Sequence, residues 1–142
     1  MKPISELLKA HESPAWQITP DASVFEALQK LADKGVGALL VMQSDKLVGV
    51  VSERDYTRKV ALLGKNSKEI KVADIMTRDP FTVTPNTGTR ACMSLMSHKK
   101  FRHLPVVENG KVLGMISIRD IMDDIIADNE QTISQLTNYI NS

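Results

Sequence analysis

Two seven-residue stretches hold the side chains best suited to chemistry. Gly49-Val50-Val51-Ser52-Glu53-Arg54-Asp55 and Gly114-Met115-Ile116-Ser117-Ile118-Arg119-Asp120 share one pattern: Gly, two apolar residues, Ser, any residue, Arg, Asp. A structural reading is a strand running into a helix whose first turn is closed by a capping box, with Ser at the N-cap and Asp three residues on. A recognition reading uses the same geometry. The free N–H groups and partial positive charge of a helix N-terminus attract a phosphate, and a serine hydroxyl donates to the same anion. An aspartate would repel that phosphate, so it must point past it, where a carboxylate accepts hydrogen bonds from vicinal ribose hydroxyls. Glycine inside a strand marks close backbone approach, which a ligand would explain. Spacing alone leaves both readings open.

The two stretches belong to a longer repeat. Shifted by 65 residues without a gap, Thr19 to Val60 matches Thr84 to Ile125, with ten of 42 positions identical, where average composition gives roughly two or three. Apolar positions also match in kind, as in Leu28/Met93, Leu31/Met96 and Val51/Ile116. In each copy a Thr-Pro pair precedes apolar residues at helical spacing, Val24, Ala27, Leu28 and Leu31 in the first, with Ser23 as N-cap and a stop near Gly35. Two short apolar runs follow, Ala38 to Met42 and Leu47 to Val51, joined by a polar turn. The second copy has Asn109-Gly110 in that turn, a strong hairpin signal because type I′ turns need positive φ at both central residues. A brief first strand is expected at Gln17-Ile18 and at Thr82-Val83, and a second helix from Ser52 and from Ser117.

The predicted fold is therefore mixed α/β (α+β): two βαββα units packed about a pseudo-two-fold axis, because neither copy alone buries enough surface. The expected organisation is one module over residues 1–142, with one repeat at 1–65, the second at 66–128, and an amphipathic C-terminal helix at 129–142 carrying Ile133, Leu136 and Ile140. Ile4 to Ala10 reads as a short helix in the place that Val72 to Thr77 occupies before the second copy.

Composition removes several classes of function. The formal charge is +1, with 18 basic and 17 acidic residues, so no global field favours nucleic acid or an anionic membrane. No apolar run approaches the ~20 residues that span a bilayer. Aromatic residues are 4% of the chain, too few for stacking platforms on single strands. The single cysteine, Cys92, makes no internal bridge, and with no leader-like segment a cytoplasmic location is expected. Cys92 replaces Ala27 of the first copy and is read as a small packing residue. His11, His98 and His103 lack partners at metal-ligand spacing.

The duplicated motif, together with Asp74-Ile75-Met76-Thr77 and Arg102-His103-Leu104-Pro105-Val106-Val107, resembles a tandem cystathionine-β-synthase-type (CBS) module over residues 1 to about 128. The resemblance implies a regulatory ligand, an adenosine nucleotide such as AMP, ADP, ATP or NAD, with no catalytic cofactor and no catalysis. It implies phosphate contact by Ser52 and Ser117 and ribose contact by Asp55 and Asp120. It places adenine beside Ile18 and Val50 in one site and Val83 and Met115 in the other. It also implies a homodimer and a regulated protein partner. Trp16 and Phe81 match at the same 65-residue offset before each first strand; by themselves they read as core or pocket-rim packing, with adenine contact as the alternative.

The copies differ where charge matters. The second has Arg102 and His103 where the first has Gly37 and Ala38, and the first has Arg58 and Lys59 where the second has Asp123 and Asp124. Read alone, His98 to His103 fits a solvated helix C-terminus, where cations suit the dipole. The family resemblance implies instead that Arg102 points into the central cleft as the best single cation for a phosphate, with His103 and Arg58 behind it. One basic cleft and one more acidic cleft are expected, and hence one strong and one weak or empty site. Arg54 and Arg119 are expected to point away from the ligand into surface or interface ion pairs. The rival functions are a ligand-independent interaction module and, with less support, a nucleic-acid binder using Lys99 to His103; an enzyme lacks any paired acid and base.

Overall fold

In the computed structural model, residues 2–10 and 15–141 are described. The element order is α1 (Ile4–Lys9), β1 (Gln17–Ile18), α2 (Val24–Lys34), β2 (Ala38–Gln43), β3 (Lys46–Ser52), α3 (Glu53–Tyr56) running into a π-helical turn (Thr57–Ala61), α4 (Val72–Ile75), β4 (Thr77–Arg78), α5 (Thr89–Lys99), β5 (His103–Glu108), β6 (Lys111–Ser117) and α6 (Ile118–Asn141). The first repeat forms a four-stranded sheet in the order β1-β2-β3-β4, and the second a β5-β6 hairpin.

The offset read from the sequence holds in three dimensions. The bounds of α5, β5 and β6 are those of α2, β2 and β3 moved on by 65 residues, and both hairpins shift register at the same place, Val41/Met42 and Val106/Val107. Both turns have positive φ at their two central residues, Ser44 (48°) and Asp45 (63°), then Asn109 (52°) and Gly110 (78°), as a two-residue type I′ turn requires. Helix α2 starts where Ser23 accepts from the Glu26 N–H at 3.1 Å and stops at Gly35 in the left-handed conformation. Helix α5 starts after Gly88 with no side-chain cap and stops at Lys100, also left-handed at φ 60°.

The expected second-copy strand at Thr82-Val83 is reduced to one parallel bridge, Val83 to Val106. In the first copy Leu40 donates its N–H to the Trp16 carbonyl at 3.0 Å. Pro105 stands at the corresponding position, and proline has no N–H to give.

Core packing crosses the two repeats. Ile4 and Leu7 of α1 are buried with Val83, Cys92, Leu104, Val106 and Ile116, in the core of the second repeat. Val72, Ile75 and Met76 are buried with Val24, Leu31, Leu39 and Val51, in the core of the first. Each short leading helix thus closes the other repeat's core. The linear division at 65/66 does not coincide with these packing units. The N-terminal segment is held further by the Lys2 N–H donating to Asp124 Oδ2 (2.8 Å) and by the Thr89 hydroxyl donating to the Lys2 carbonyl (2.7 Å).

This clasp explains the motif glycines, and corrects the ligand-based reading of them. A Cβ on Gly49 would lie 2.7 Å from both Met76 Sδ and the Thr77 carbonyl oxygen, and one on Gly114 would lie 2.9 Å from Leu8 Cδ2. The close approach is made by the crossing segments of the chain itself. Between the repeats, Ala38, Leu40, Val50 and Met115 form a third apolar cluster. The C-terminal stretch is not a separate helix: α6 is continuous for 24 residues.

Candidate functional site

Both motifs form the capping box. Ser52 Oγ accepts from the Asp55 N–H at 3.2 Å while Asp55 Oδ2 accepts from the Ser52 N–H at 2.9 Å. In the second repeat the Ser117 N–H donates to Asp120 Oδ2 at 2.7 Å and the Asp120 N–H to Ser117 Oγ at 3.1 Å. These caps hold each Ser–Asp pair at the mouth of a cleft between the repeats, of about 430 Å³ for Ser52 and Asp55 and about 550 Å³ for Ser117 and Asp120. Both volumes fall in the usual range of small-ligand sites.

Each cleft is built from both repeats. In the first, Val50, Ser52 and Asp55 face Phe81, Phe101 and Arg102 of the second repeat. In the second, Met115, Ser117 and Asp120 face Ala15, Trp16 and Val36 of the first. Apolar walls therefore come from two places in the opposite repeat, the segment before its first strand (Trp16, Phe81) and the turn after its long helix (Val36, Phe101). Val83 is buried in the second core and Ile18 packs against the first, and neither borders these two clefts. Trp16 and Phe81 stand in the linings instead. Their matched offset was the available signal, but the side on which they face depends on the crossing of the chain.

The clefts differ in charge. Among the described residues, six arginines and lysines border the first (Arg54, Arg58, Lys59, Lys99, Lys100 and Arg102) against the acidic Glu53 and Asp55, and Arg102 and Arg119 border the second with Asp120. The asymmetry has the expected direction for the first cleft, but Asp123 and Asp124 do not acidify the second. Asp123 is exposed elsewhere on α6, and Asp124 is buried against the N-terminal segment. Arg54 does not point away from the ligand space; it borders the first cleft and reaches the Lys100 carbonyl at 3.5 Å across the repeat boundary. Arg119 borders the second. Lys59 is held in place, its Nζ donating to the Ile75 carbonyl at 2.8 Å and lying 3.4 Å from Asp55 Oδ1.

Gly37, Arg102 and His103 border both clefts. The missing side chain at Gly37 admits the His103 ring, whose Cε1 lies 3.6 Å from the place a Cβ would take. Burial pushes the His103 imidazole below its ordinary value; Asp120 opposes this and Arg102 adds to it. Cys92 is buried and burial raises its thiol, consistent with a packing role rather than a nucleophile. Among the described residues no group of three or more His, Cys, Asp or Glu side chains is placed to hold a metal ion. His98 Nδ1 donates to the Ser94 carbonyl at 2.8 Å, and His11 lies outside the described residues. No helix is long and apolar enough to cross a membrane among the described residues.

A duplicated strand–helix unit with a capped Ser–Asp pair at each of two inter-repeat clefts defines a paired regulatory module. The CBS domain family matches residues 5–62 and 72–127, and the chain belongs to that family as a CBS domain pair. It is 35% identical over 147 residues to a mitochondrial CBS domain-containing protein of Arabidopsis thaliana, CBSX3, covering 96% of this chain and 71% of that protein. Longer relatives from the same plant are matched over only about a quarter or less of their own length. Among solved structures, a CBS-domain protein of Burkholderia ambifaria described as a putative signal-transduction protein superposes with TM-score 0.84 at 40% identity, covering 89% of this chain and 96% of that one. A CBS-domain protein from Pyrobaculum aerophilum, solved in complex with AMP, superposes with TM-score 0.74 at 29% identity, covering 84% and 89%.

Proposed function

We propose that the chain is a non-catalytic sensor that binds an adenosine nucleotide, AMP, ADP, ATP or NAD, in the clefts between its two repeats. The observation that carries this reading is the first cleft, where Ser52 and Asp55 stand opposite cations drawn from both repeats. The AMP complex of the Pyrobaculum relative supports the ligand class. Adenine would lie between Val50 and Phe81 in the first cleft, and between Met115 and Trp16 in the second. The base rests against side chains supplied by both halves of the molecule. Asp55 commits Oδ2 to the cap and leaves Oδ1 for a ribose hydroxyl in competition with Lys59. Ser52, Arg58 and Arg102 face the phosphates, and His103 closes the wall between the sites. In the second cleft Ser117, Asp120 and Arg102 take the same roles with less positive charge. The first is the stronger site.

A ligand that spans two repeats shifts their relative arrangement only as far as it prefers one arrangement over another. The readout is a surface on α6. Ile118, Met122, Ile126, Ile133, Leu136 and Ile140 are all exposed and, at 3.6 residues per turn, share an arc of about 80°. A second copy of the chain covers this stripe in a homodimer, and a regulated protein responds to its rearrangement. CBS-CP12 proteins of cyanobacteria, 25% identical to this chain in one case, assemble as hexamers.

The test is a thermal-shift panel of AMP, ADP, ATP, NAD and NADH on the wild type, Asp55→Ala and Asp120→Ala. Ligands that bind the native state raise its melting temperature. A shift larger for one ligand and abolished by Asp55→Ala supports the reading. No shift with any adenosine ligand overturns it and leaves an interaction module whose motifs only cap helices.

A further inference from the structure

Gly37 and Arg102 are equivalent positions of the two repeats, and both border both clefts. A symmetric pair would place one arginine on each side of the boundary. Here one side is empty, so a single guanidinium serves two sites. It is exposed and makes no ion pair with any described residue. The clefts depend on it unequally. The first has five other bordering arginines and lysines, whereas among the described residues Arg119 is the second cleft's one other.

We propose that Arg102 is a cation shared by the two clefts, so that a phosphate bound in the first weakens the binding of a phosphate in the second. This rests on the nucleotide-binding reading and adds regulation to it. A phosphate in the first cleft draws Arg102 toward itself and neutralises it, leaving Arg119 as the second cleft's remaining arginine or lysine among the described residues. Coupling between sites is reciprocal, and factors of at least about five are usual for linked sites. The chain then acts as a ranked pair of sites, the second filling appreciably only when the ligand concentration is well above that needed for the first.

The chain contains one tryptophan, Trp16, and it borders the second cleft and not the first, so its fluorescence responds directly to a ligand bound in the second. ATP is titrated against the full chain, with Trp16 emission reading the second cleft and calorimetry reading total binding. The titration is repeated with the first cleft disabled by Asp55→Ala and, leaving the cap intact, by Arg58→Glu. Each variant is also made with Arg102→Ala. The expected result is that the Trp16 midpoint moves to at least about fivefold lower ATP when the first cleft is disabled. In the Arg102→Ala background that movement disappears. A Trp16 response that is absent in the wild type and appears in Asp55→Ala supports the same coupling. A midpoint unchanged by Asp55→Ala and Arg58→Glu while calorimetry shows the first cleft filling, or a movement that persists without Arg102, overturns the shared-cation proposal and leaves nucleotide binding standing. Absence of both heat and fluorescence change in the wild type overturns nucleotide binding itself, and the coupling with it.

Discussion

The backbone N–H of Lys2 donates to Asp124 Oδ2 at 2.8 Å, across 122 positions of the chain. Asp124 is 6% exposed and its carboxylate holds the N-terminal segment on the second repeat. Two residues further on, Ile4 is fully buried in that repeat's core. Residues 2–10 are therefore structural, and their removal should be felt far from the N-terminus.

Asp124→Ala leaves the Lys2 N–H without its acceptor, at a cost of about 1–3 kcal/mol. Ile4→Ala removes a fully buried side chain and should cost about 2–5 kcal/mol. Lys9→Ala, at the exposed end of α1, should stay within about 0.5 kcal/mol. Urea denaturation of the three variants measures the order; an Ile4→Ala midpoint equal to that of Lys9→Ala would contradict the packing described.

The two motif glycines should respond unequally to alanine. At Gly49 the new methyl meets a backbone oxygen, that of Thr77, which moves only if β4 moves; overpacking of this kind costs about 1–3 kcal/mol. At Gly114 it meets Leu8 Cδ2, the end of a flexible side chain. Melting temperatures should fall clearly further for Gly49→Ala than for Gly114→Ala. Equal losses would mean that the glycines serve something common to both repeats rather than these different neighbours.

Lys100 holds the left-handed conformation at φ 60° where the first repeat uses Gly35 at φ 64°. A non-glycine residue there carries about 1–2 kcal/mol of steric cost, and the Lys100 side chain borders the basic cleft. Lys100→Gly should raise stability by up to about 1 kcal/mol while weakening ATP binding. Chemical denaturation and calorimetry on the same sample separate the two effects. A variant improved in both would remove any functional reason for the strained lysine.

Acidification should destabilise the fold through His103. Burial, the larger cause, holds its imidazole below the ordinary value, and Arg102 acts in the same direction against Asp120. The unfolded chain then binds the proton more readily. The stability His103 contributes is present above its unfolded pKa of about 6.5 and is lost as pH falls through the lower folded value. Melting temperatures of the wild type and His103→Gln, compared at successive pH values from neutral downward, should show a steeper loss in the wild type. Parallel curves would exclude His103 as the source.

The elements and hairpin turns were legible in the sequence because they rest on local signals, namely Ser23 before an apolar stripe, Gly35 after it, and Asn109-Gly110 between two apolar runs. The capping boxes were legible for the same reason. The crossed packing was not. An apolar face on α1 or α4 shows that something covers Ile4 or Val72, but it does not say which repeat does so. The cleft walls follow from this. Trp16 and Phe81 each border the cleft that holds the opposite repeat's Ser–Asp pair, which the order of residues along one repeat does not show. The role of Asp124 was missed because a carboxylate on a helix face gives no sign that a backbone N–H from the far end of the chain will meet it.

The crossed leading helices also bear on how such a chain could arise. A polypeptide carrying one repeat, about half this length, has a helix shaped for a core it does not itself contain, and a core whose last side is open. Two copies would satisfy each other by exchanging helices, an arm swap between separate molecules. Joining the two coding segments end to end turns that exchange into a single folding reaction, independent of concentration. It also frees the halves to diverge, which is how one cleft can gather more cations than its twin.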